Sequence, residues 1–303
     1  MGRVILHGTA DSTMIDLLFG AADNYTWSQI KPWAKSIRDS GFDGKVVLLV
    51  YRGDMDTIVA KCSELDIEVL TASYDNWGNL IDHNAGGRDT QCHQMRFFHM
   101  WQYLDETIVQ KYDNIIATDV RDVIFQRNPS EWLLANITIG LMAGGPRIVA
   151  PSEGIAYANE AWGADNLKNG FGPYVERDMQ SAEIFNVGTI AGEAYDMKAL
   201  SLVLFSMGEG RFIPNDQSGF NMLVHGELLK TLRVDHDEGW ACQCGTMADH
   251  EKIEAFRPHL LSPEPVFDTD GYAFTSTGEK FYLLHQWDRV PEINRIVSER
   301  YEL

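Results

Sequence analysis

The sequence predicts an α/β protein with a single Rossmann-like mixed sheet flanked by helices. Three observations carry that expectation. Apolar runs of strand length alternate with stretches whose apolar residues recur at helical spacing. Residues 45–51 form a near-continuous Val/Leu run, the pattern of a strand covered on both faces. A chain of 303 residues, 45% hydrophobic and 23% charged, is long and apolar enough to bury a sizeable core.

The elements follow in order. Residues 3–7 read as a first, short apolar strand. Trp27, Ile30, Ala34 and Ile37 share one face of a helix over 27–37. Gly41 and Gly44 bracket a turn before the 45–51 strand. A helix over 54–65 and a third strand over 67–70 come next. Gly86 and Gly87 mark a loop, 91–104 reads as a helix with aromatics on one side, and 114–118 as a fourth strand. Strands separated by helices imply parallel pairing with right-handed crossovers. In the second half, 137–142 is a candidate strand and 152–178 an elaborated loop with short helices. Residues 184–190 read as a strand, 197–205 and 218–229 as helices, and 232–234 as a short strand. Residues 263–278 are turn-rich, 281–285 is a last apolar run, and Pro291 opens a helix over 291–297. With no internal repeat or low-complexity linker, one domain over 1–303 is expected.

Charge and cysteine usage narrow the function classes. There are 25 Lys and Arg against 44 Asp and Glu, a formal charge of −19. That balance repels nucleic acid and anionic membrane, so neither is an expected partner. A phosphorylated ligand stays possible, because a bound metal ion reverses the field locally. The longest apolar runs are far short of a bilayer span, and residues 1–6 are too short for a signal-peptide core. Cys62, Cys92, Cys242 and Cys244 make no disulfide framework. Cys242-Gln243-Cys244, near His236 and His250, lacks the usual zinc spacing and reads as ordinary thiols. A soluble, cytoplasmic protein is expected.

The sharpest local feature is Thr118-Asp119-Val120-Arg121-Asp122-Val123-Ile124-Phe125-Gln126, directly after an apolar strand. In parallel sheets, ligands gather beyond the carboxyl ends of strands. Two carboxylates three apart in a tight turn suit one hard cation, Mg²⁺ or Mn²⁺, with diphosphate oxygens completing its shell. The same residues fit two solvated acids, one of them paired with Arg121.

Asp119-Val120-Arg121-Asp122 resembles a variant of the Asp-x-Asp motif of GT-A fold nucleotide-sugar glycosyltransferases. The longer pattern Asp-x-Arg-Asp-Val-x-Phe-Gln-x-x-Pro is matched through Gln126 and Pro129. Arg96 and Phe97 precede it on a helix. Phe185-Asn186-Val187-Gly188, Asp216-Gln217 and the late His285 follow in the family's order, so the resemblance covers about residues 3–288. The departure is one extra residue between the two acids.

The resemblance implies a metal-dependent sugar transfer from a nucleoside-diphosphate sugar, with uracil as the base, to a carbohydrate hydroxyl. Residues 1–130 would form the nucleotide-sugar half and 131–303 the acceptor half. Asp119, Asp122 and His285 would hold Mn²⁺ or Mg²⁺. His7 and Thr9, just past the first strand, would lie at the base and ribose. Arg88, Arg96, Asp119 and Arg121 would contact the donor. Asn186, Asp216 and Gln217 would sit at the sugar, in an arrangement resembling retaining members. Each residue also has a plainer reading. Arg96 fits a salt bridge on a helix surface, His285 a structural histidine beside Trp287, and Asp216 a helix N-cap. Tyr25 or Tyr51 could stack on the base or simply pack in the core. Trp162 and Phe171 could cover sugar faces or hold down their own segment. No Gly-x-Gly-x-x-Gly or P-loop segment is present, against a dehydrogenase or P-loop enzyme. A nucleotidyltransferase and a non-catalytic carbohydrate-binding protein remain the competing classes.

Overall fold

The computed structural model describes residues 15–72, 88–141, 144–208 and 216–303, without the side chains of 88–91. It opens on strand β1 (Ile15–Ala22) and helix α1 (Trp27–Asp39), then β2 (Lys45–Val50), α2 (Met55–Ser63) and β3 (Glu68–Thr71). Helices α3 (Arg88–Tyr103) and α4 (Glu106–Val109) lead to β4 (Tyr112–Thr118) and the short β5 (Val123–Phe125). Next come α5 (Pro129–Leu133), α6 (Ile139–Leu141), β6 (Ile148–Ala156), α7 (Ala161–Phe171), α8 (Pro173–Asp178), β7 (Glu183–Phe185) and β8 (Thr189–Glu193). Helices α9 (Ala194–Gly208) and α10 (Asp216–His225) precede β9 (Thr231–Val234), β10 (Ala241–Gln243), α11 (Cys244–Met247) and α12 (His250–Phe256). The last elements are β11 (Val266–Phe267), β12 (Ala273–Phe274), β13 (Leu283–His285) and α13 (Pro291–Tyr301).

The main sheet is mixed, with strand order β3-β2-β1-β4-β8-β6-β7 and β9 paired to β6. The first four strands are parallel, as the alternation of strands and helices implies. β8 then runs antiparallel to β4, and β6 antiparallel to β8. The two faces are covered separately. Leu18, Val46, Leu48 and Ile116 pack under Ile30, Trp33 and Ile37 of α1. Leu17, Phe19, Val47 and Ile115 pack under Phe97 and Met100 of α3 and Leu200 and Leu204 of α9. Each such side chain contributes about 1.5–3 kcal/mol on leaving water.

Helix α1 is defined at its start by a capping box of Thr26 and Gln29. It grips the acidic turn from both sides. Trp33 Nε1 donates to Thr118 Oγ1 at 2.9 Å, at the end of β4. Ser36 Oγ accepts from the Phe125 amide at 3.0 Å, in β5. Gly20 makes this approach possible, since a Cβ there would lie 2.6 Å from Val120 and 2.7 Å from Trp33.

Several sequence expectations are corrected. The strand expected over 137–142 is helical: Leu134–Thr138 is a π-helical turn that runs into α6. The region from 152 begins as β6, which starts four residues earlier and runs to Ala156. The strand expected over 184–190 is two strands, broken at Asn186-Val187-Gly188. β1 is an additional strand beyond those the sequence pattern predicts. The strand expected over 3–7 and the loop at Gly86-Gly87 lie outside the described residues. Among those residues no helix is long and apolar enough to cross a membrane.

Candidate active site at the end of the central strand

Asp119 follows β4 immediately. Its amide donates to the Gly188 carbonyl at 2.9 Å, fastening the acidic turn to the break between β7 and β8. Gly188 allows the contact, because a Cβ there would fall 2.7 Å from Asp119 Oδ2. The second anchor is a small three-stranded sheet of order β10-β13-β5. Its register sets His285 opposite both Val123 and Gln243. The Gln286 amide also donates to the Asp122 carbonyl at 2.7 Å. Backbone pairing thus delivers His285 to the two acids.

Asp119, Asp122 and His285 form one cluster, with a ligand atom of each within 4.8 Å of the others. His285 Nε2 lies 3.5 Å from Asp119 Oδ2 and 3.9 Å from Asp122 Oδ1. Nδ1 donates to Gln243 Oε1 at 2.7 Å. Gln243 Nε2 in turn donates to Thr189 Oγ1 at 3.1 Å. With Nδ1 donating to Gln243 Oε1, the neutral ring turns its Nε2 lone pair toward the acids. Among the described residues that buried nitrogen makes no hydrogen bond of good geometry; Asp119 Oδ2, at 3.5 Å, is its nearest acceptor. Burial opposes charge on His285, but the carboxylates of Asp119, Asp122 and Glu153 outweigh it and raise its pKa. Burial pushes Asp122 up, reinforced by Asp119. Burial works against Asp119 too, yet the Arg96 guanidinium holds it well below the usual carboxylate range.

Arg96 is not on a helix surface. Its side chain, 11% exposed, pairs with Asp119 through Nη1 and with Asp216 through Nη2 at 3.0 Å. Asp216 opens α10 and accepts the Gln217 amide on Oδ1 at 2.9 Å. Asp216 is the first residue of α10 rather than the cap before it, and its other oxygen holds the ion pair. Asn186 and Gln217 both donate to Glu153, a buried acid in β6. Burial raises the pKa of Glu153.

These residues line one cavity of about 680 Å³. It brings together Asp119, Arg121, Asp122, Asn186, Asp216 and Gln217 with Arg96 and His285. Arg121 sits at the rim, 46% exposed, 3.6 Å from Asp288 and 4.0 Å from Asp122. His7 and Thr9 lie outside the described residues. Arg88 opens α3, and its side chain is likewise outside them. Past β1 the cavity is lined instead by Asp23, Asn24 and Tyr25. Arg52 holds Asp23 through Nε and Nη2, each at 2.6 Å. Burial pushes Tyr25 up to about 12. Tyr51 does not line the cavity: it is buried, with its hydroxyl 2.9 Å from His99 Nδ1. Trp162 lines the cavity at 58% exposure, whereas Phe171 packs against Ile155, Tyr157 and Leu167. The Cys242 and Cys244 thiols are buried 3.7 Å apart, and neither belongs to a metal-ligand cluster among the described residues.

Sequence reasoning missed Glu153, Gln243, Asp23 and Arg289, all at or next to the cavity. Gln243 lies between two cysteines, and nothing local in the sequence links it to His285. Arg289, four residues after His285, lines the cavity and makes no ion pair among the described residues.

No family model matches the sequence, and no curated protein does. Solved structures are similar in fold. Galactosyltransferase LgtC, solved with donor and acceptor sugar analogues, aligns over 95% of this chain and 95% of its own at 14% identity, with a TM-score of 0.53. Mouse xyloside xylosyltransferase 1 aligns over 89% of this chain and 97% of its own at 13% identity, with a TM-score of 0.50. The bifunctional glycosyltransferase WbbM gives 0.52 at 13% identity, over 97% of this chain and 51% of its own. The mixed sheet, the acidic turn at the end of its central strand and these three likenesses agree: the chain has the GT-A glycosyltransferase fold.

Proposed function

We propose that the protein is a divalent-metal-dependent glycosyltransferase. It moves a sugar from a nucleoside-diphosphate sugar, with uracil as the base, to a hydroxyl of a carbohydrate. The observation that carries this reading is the cluster of Asp119, Asp122 and His285, whose buried Nε2 faces two carboxylates at 3.5 and 3.9 Å and makes no hydrogen bond of good geometry among the described residues. A buried nitrogen without a good hydrogen bond is costly, and a cation shared with Asp119 and Asp122 would satisfy it. The donor set, two oxygens and an imidazole nitrogen, fits Mn²⁺ at least as well as Mg²⁺. Once bound, the ion supplies positive charge where the leaving diphosphate becomes more negative.

The chain's own residues do the rest. Arg121 and Arg289 place further positive charge along the same wall for the diphosphate. Asp23, Asn24 and Tyr25, at the carboxyl end of β1, take the place expected of the base and ribose site. Arg96 holds Asp119 and Asp216 in fixed relation, so the metal site and the sugar site share one strut. Asn186, Asp216 and Gln217 face the sugar. No carboxylate is needed as a base if the departing diphosphate takes the acceptor proton, which favours retention of the donor's configuration. Residues 1–130 then serve mainly the nucleotide and 131–303 the acceptor, with His285 crossing over to the metal.

A donor screen with Mn²⁺ present tests the reading. Release of free nucleoside diphosphate that rises with added acceptor supports it. Consumption of a nucleoside triphosphate would indicate a nucleotidyltransferase, and sugar binding with no release a carbohydrate-binding protein. NMR of the product's anomeric centre decides retention against inversion.

A further inference from the structure

Glu153 sits on a distortion of β6. Ser152 pairs with Phe185 and Ala156 with Glu183, so β6 takes four steps where β7 takes two. Such bulges re-aim a side chain. Gly154 takes φ +68°, a left-handed conformation, and Met247 Sδ would lie 2.6 Å from a Cβ there. Ser152 Oγ accepts the Gly154 amide at 2.7 Å and fixes the kink. The distortion places a carboxylate on the cavity wall, in a residue only 9% exposed.

Glu153 Oε1 accepts from Asn186 Nδ2 at 2.7 Å and from Gln217 Nε2 at 3.0 Å. Asn186 is oriented independently, since its Oδ1 accepts the Gly188 amide at 2.7 Å. Gln217 has no second restraint of that kind. Its Nε2 bonds only Glu153, and its Oε1 meets no donor among the described residues. A carboxylate can only accept, so it draws the amide nitrogen and turns the carbonyl oxygen away from itself.

We infer that Glu153 is a positioning residue that acts through Gln217, holding its carbonyl oxygen toward the sugar of a bound donor. The inference rests on the glycosyltransferase reading. An oriented carbonyl dipole stabilises positive charge that develops on the sugar as the bond to diphosphate breaks. The anchor works by reach and acceptor geometry, so its charge is secondary. Two small substitutions separate the two properties. Glu153→Gln keeps the length and an acceptor oxygen. The fixed Asn186 Nδ2 demands that oxygen, which then also receives Gln217. Glu153→Asp keeps the charge and loses one methylene of reach.

The test is steady-state transfer with Mn²⁺ and the donor that passes the screen, beside thermal melts. Glu153→Asp is expected to lower kcat about a hundredfold with donor KM little changed. Glu153→Gln should cost only about threefold. Both should melt like wild type. In a Gln217→Ala background, Glu153→Asp should add almost no further loss, because the group it orients is gone. The inference is overturned if Glu153→Asp keeps its kcat, if Glu153→Gln falls as far as Glu153→Asp, or if the two losses multiply. An active wild type with an unaffected Glu153→Asp overturns this inference alone. A wild type that neither binds nor turns over any nucleotide sugar overturns the parent reading, and this one with it.

Discussion

Replacing Gln243 with Leu leaves the Asp119, Asp122 and His285 side chains untouched and removes what orients the histidine. In the wild type, His285 Nδ1 donates to Gln243 Oε1 at 2.7 Å, and Gln243 Nε2 donates to Thr189 Oγ1 at 3.1 Å. Both His285 and Gln243 are 1% exposed, so no solvent replaces the lost acceptor. An orphaned buried N–H costs about 1–3 kcal/mol, which the ring can recover only by turning toward another partner. Turning takes Nε2 away from the carboxylates. Loss of such an outer partner typically costs about 10–100-fold in metal affinity, and that is the fall expected for Gln243→Leu. Mn²⁺ titration followed by electron paramagnetic resonance of the free ion measures it, with and without UDP. A thermal melt confirms that the variant folds. A folded variant with unchanged Mn²⁺ affinity would refute the orienting role of Gln243, and with it the assignment of the His285 Nε2 lone pair to a cation.

Three further outcomes follow from the same geometry. Asp122→Asn should melt normally and lose about a hundredfold or more in turnover, since its carboxylate matters where diphosphate charge develops; near-wild-type turnover would remove Asp122 from the metal site. Arg96→Met leaves the buried Asp216 and the partly exposed Asp119 without their shared cation; it should lower the urea midpoint, by less than the roughly 3–5 kcal/mol of a fully buried pair. Burial opposes the His285 charge and the neighbouring acids override it, so the folded pKa stands above 6.5. The stability His285 gives the metal-free protein is therefore full below about 6.5 and is lost as pH rises through the folded value. Mn²⁺ competes with the same proton, so its affinity rises over that interval. A pH series of melts and titrations checks both, and His285→Gln should flatten both curves.

How much was legible in advance depended on how local each signal was. The acidic turn was readable because Asp119, Arg121 and Asp122 are neighbours in sequence and follow an obvious strand. His285 was reachable only through motif order, since its partners come to it by strand pairing. Glu153 and Gln243 gave no signal. They act on Asn186, Gln217 and His285, residues distant in the chain. β1 escaped notice because its second half, Gly20-Ala21-Ala22, is small and weak in strand propensity. The fold needs that smallness at Gly20, where Trp33 and Val120 crowd the backbone. Pro151 and Gly154 disguised β6 as a loop, and Gly154 marks the bulge itself. Ile137, Ile139 and Leu141 alternate like a strand, yet Ile137 is buried and Ile139 is 70% exposed. Three residues at period two were too short a run to exclude a helix.

The pairing of β5 with β13 has a consequence in time. Asp119 and Asp122 lie on a turn whose contacts with α1, β1 and β4 fall within the first half of the chain, and whose tie to Gly188 still precedes β13. The third member waits for β13, which follows every other strand in sequence and must close a long loop to reach Val123. During synthesis or refolding, the acids are therefore present well before the imidazole that completes their set. Until β13 docks, the cluster is only two carboxylates in water, weak and unselective toward cations. Tight Mn²⁺ uptake should then mark the last step of folding, and a chain interrupted before β13 should fold its first sheet yet fail to hold the ion.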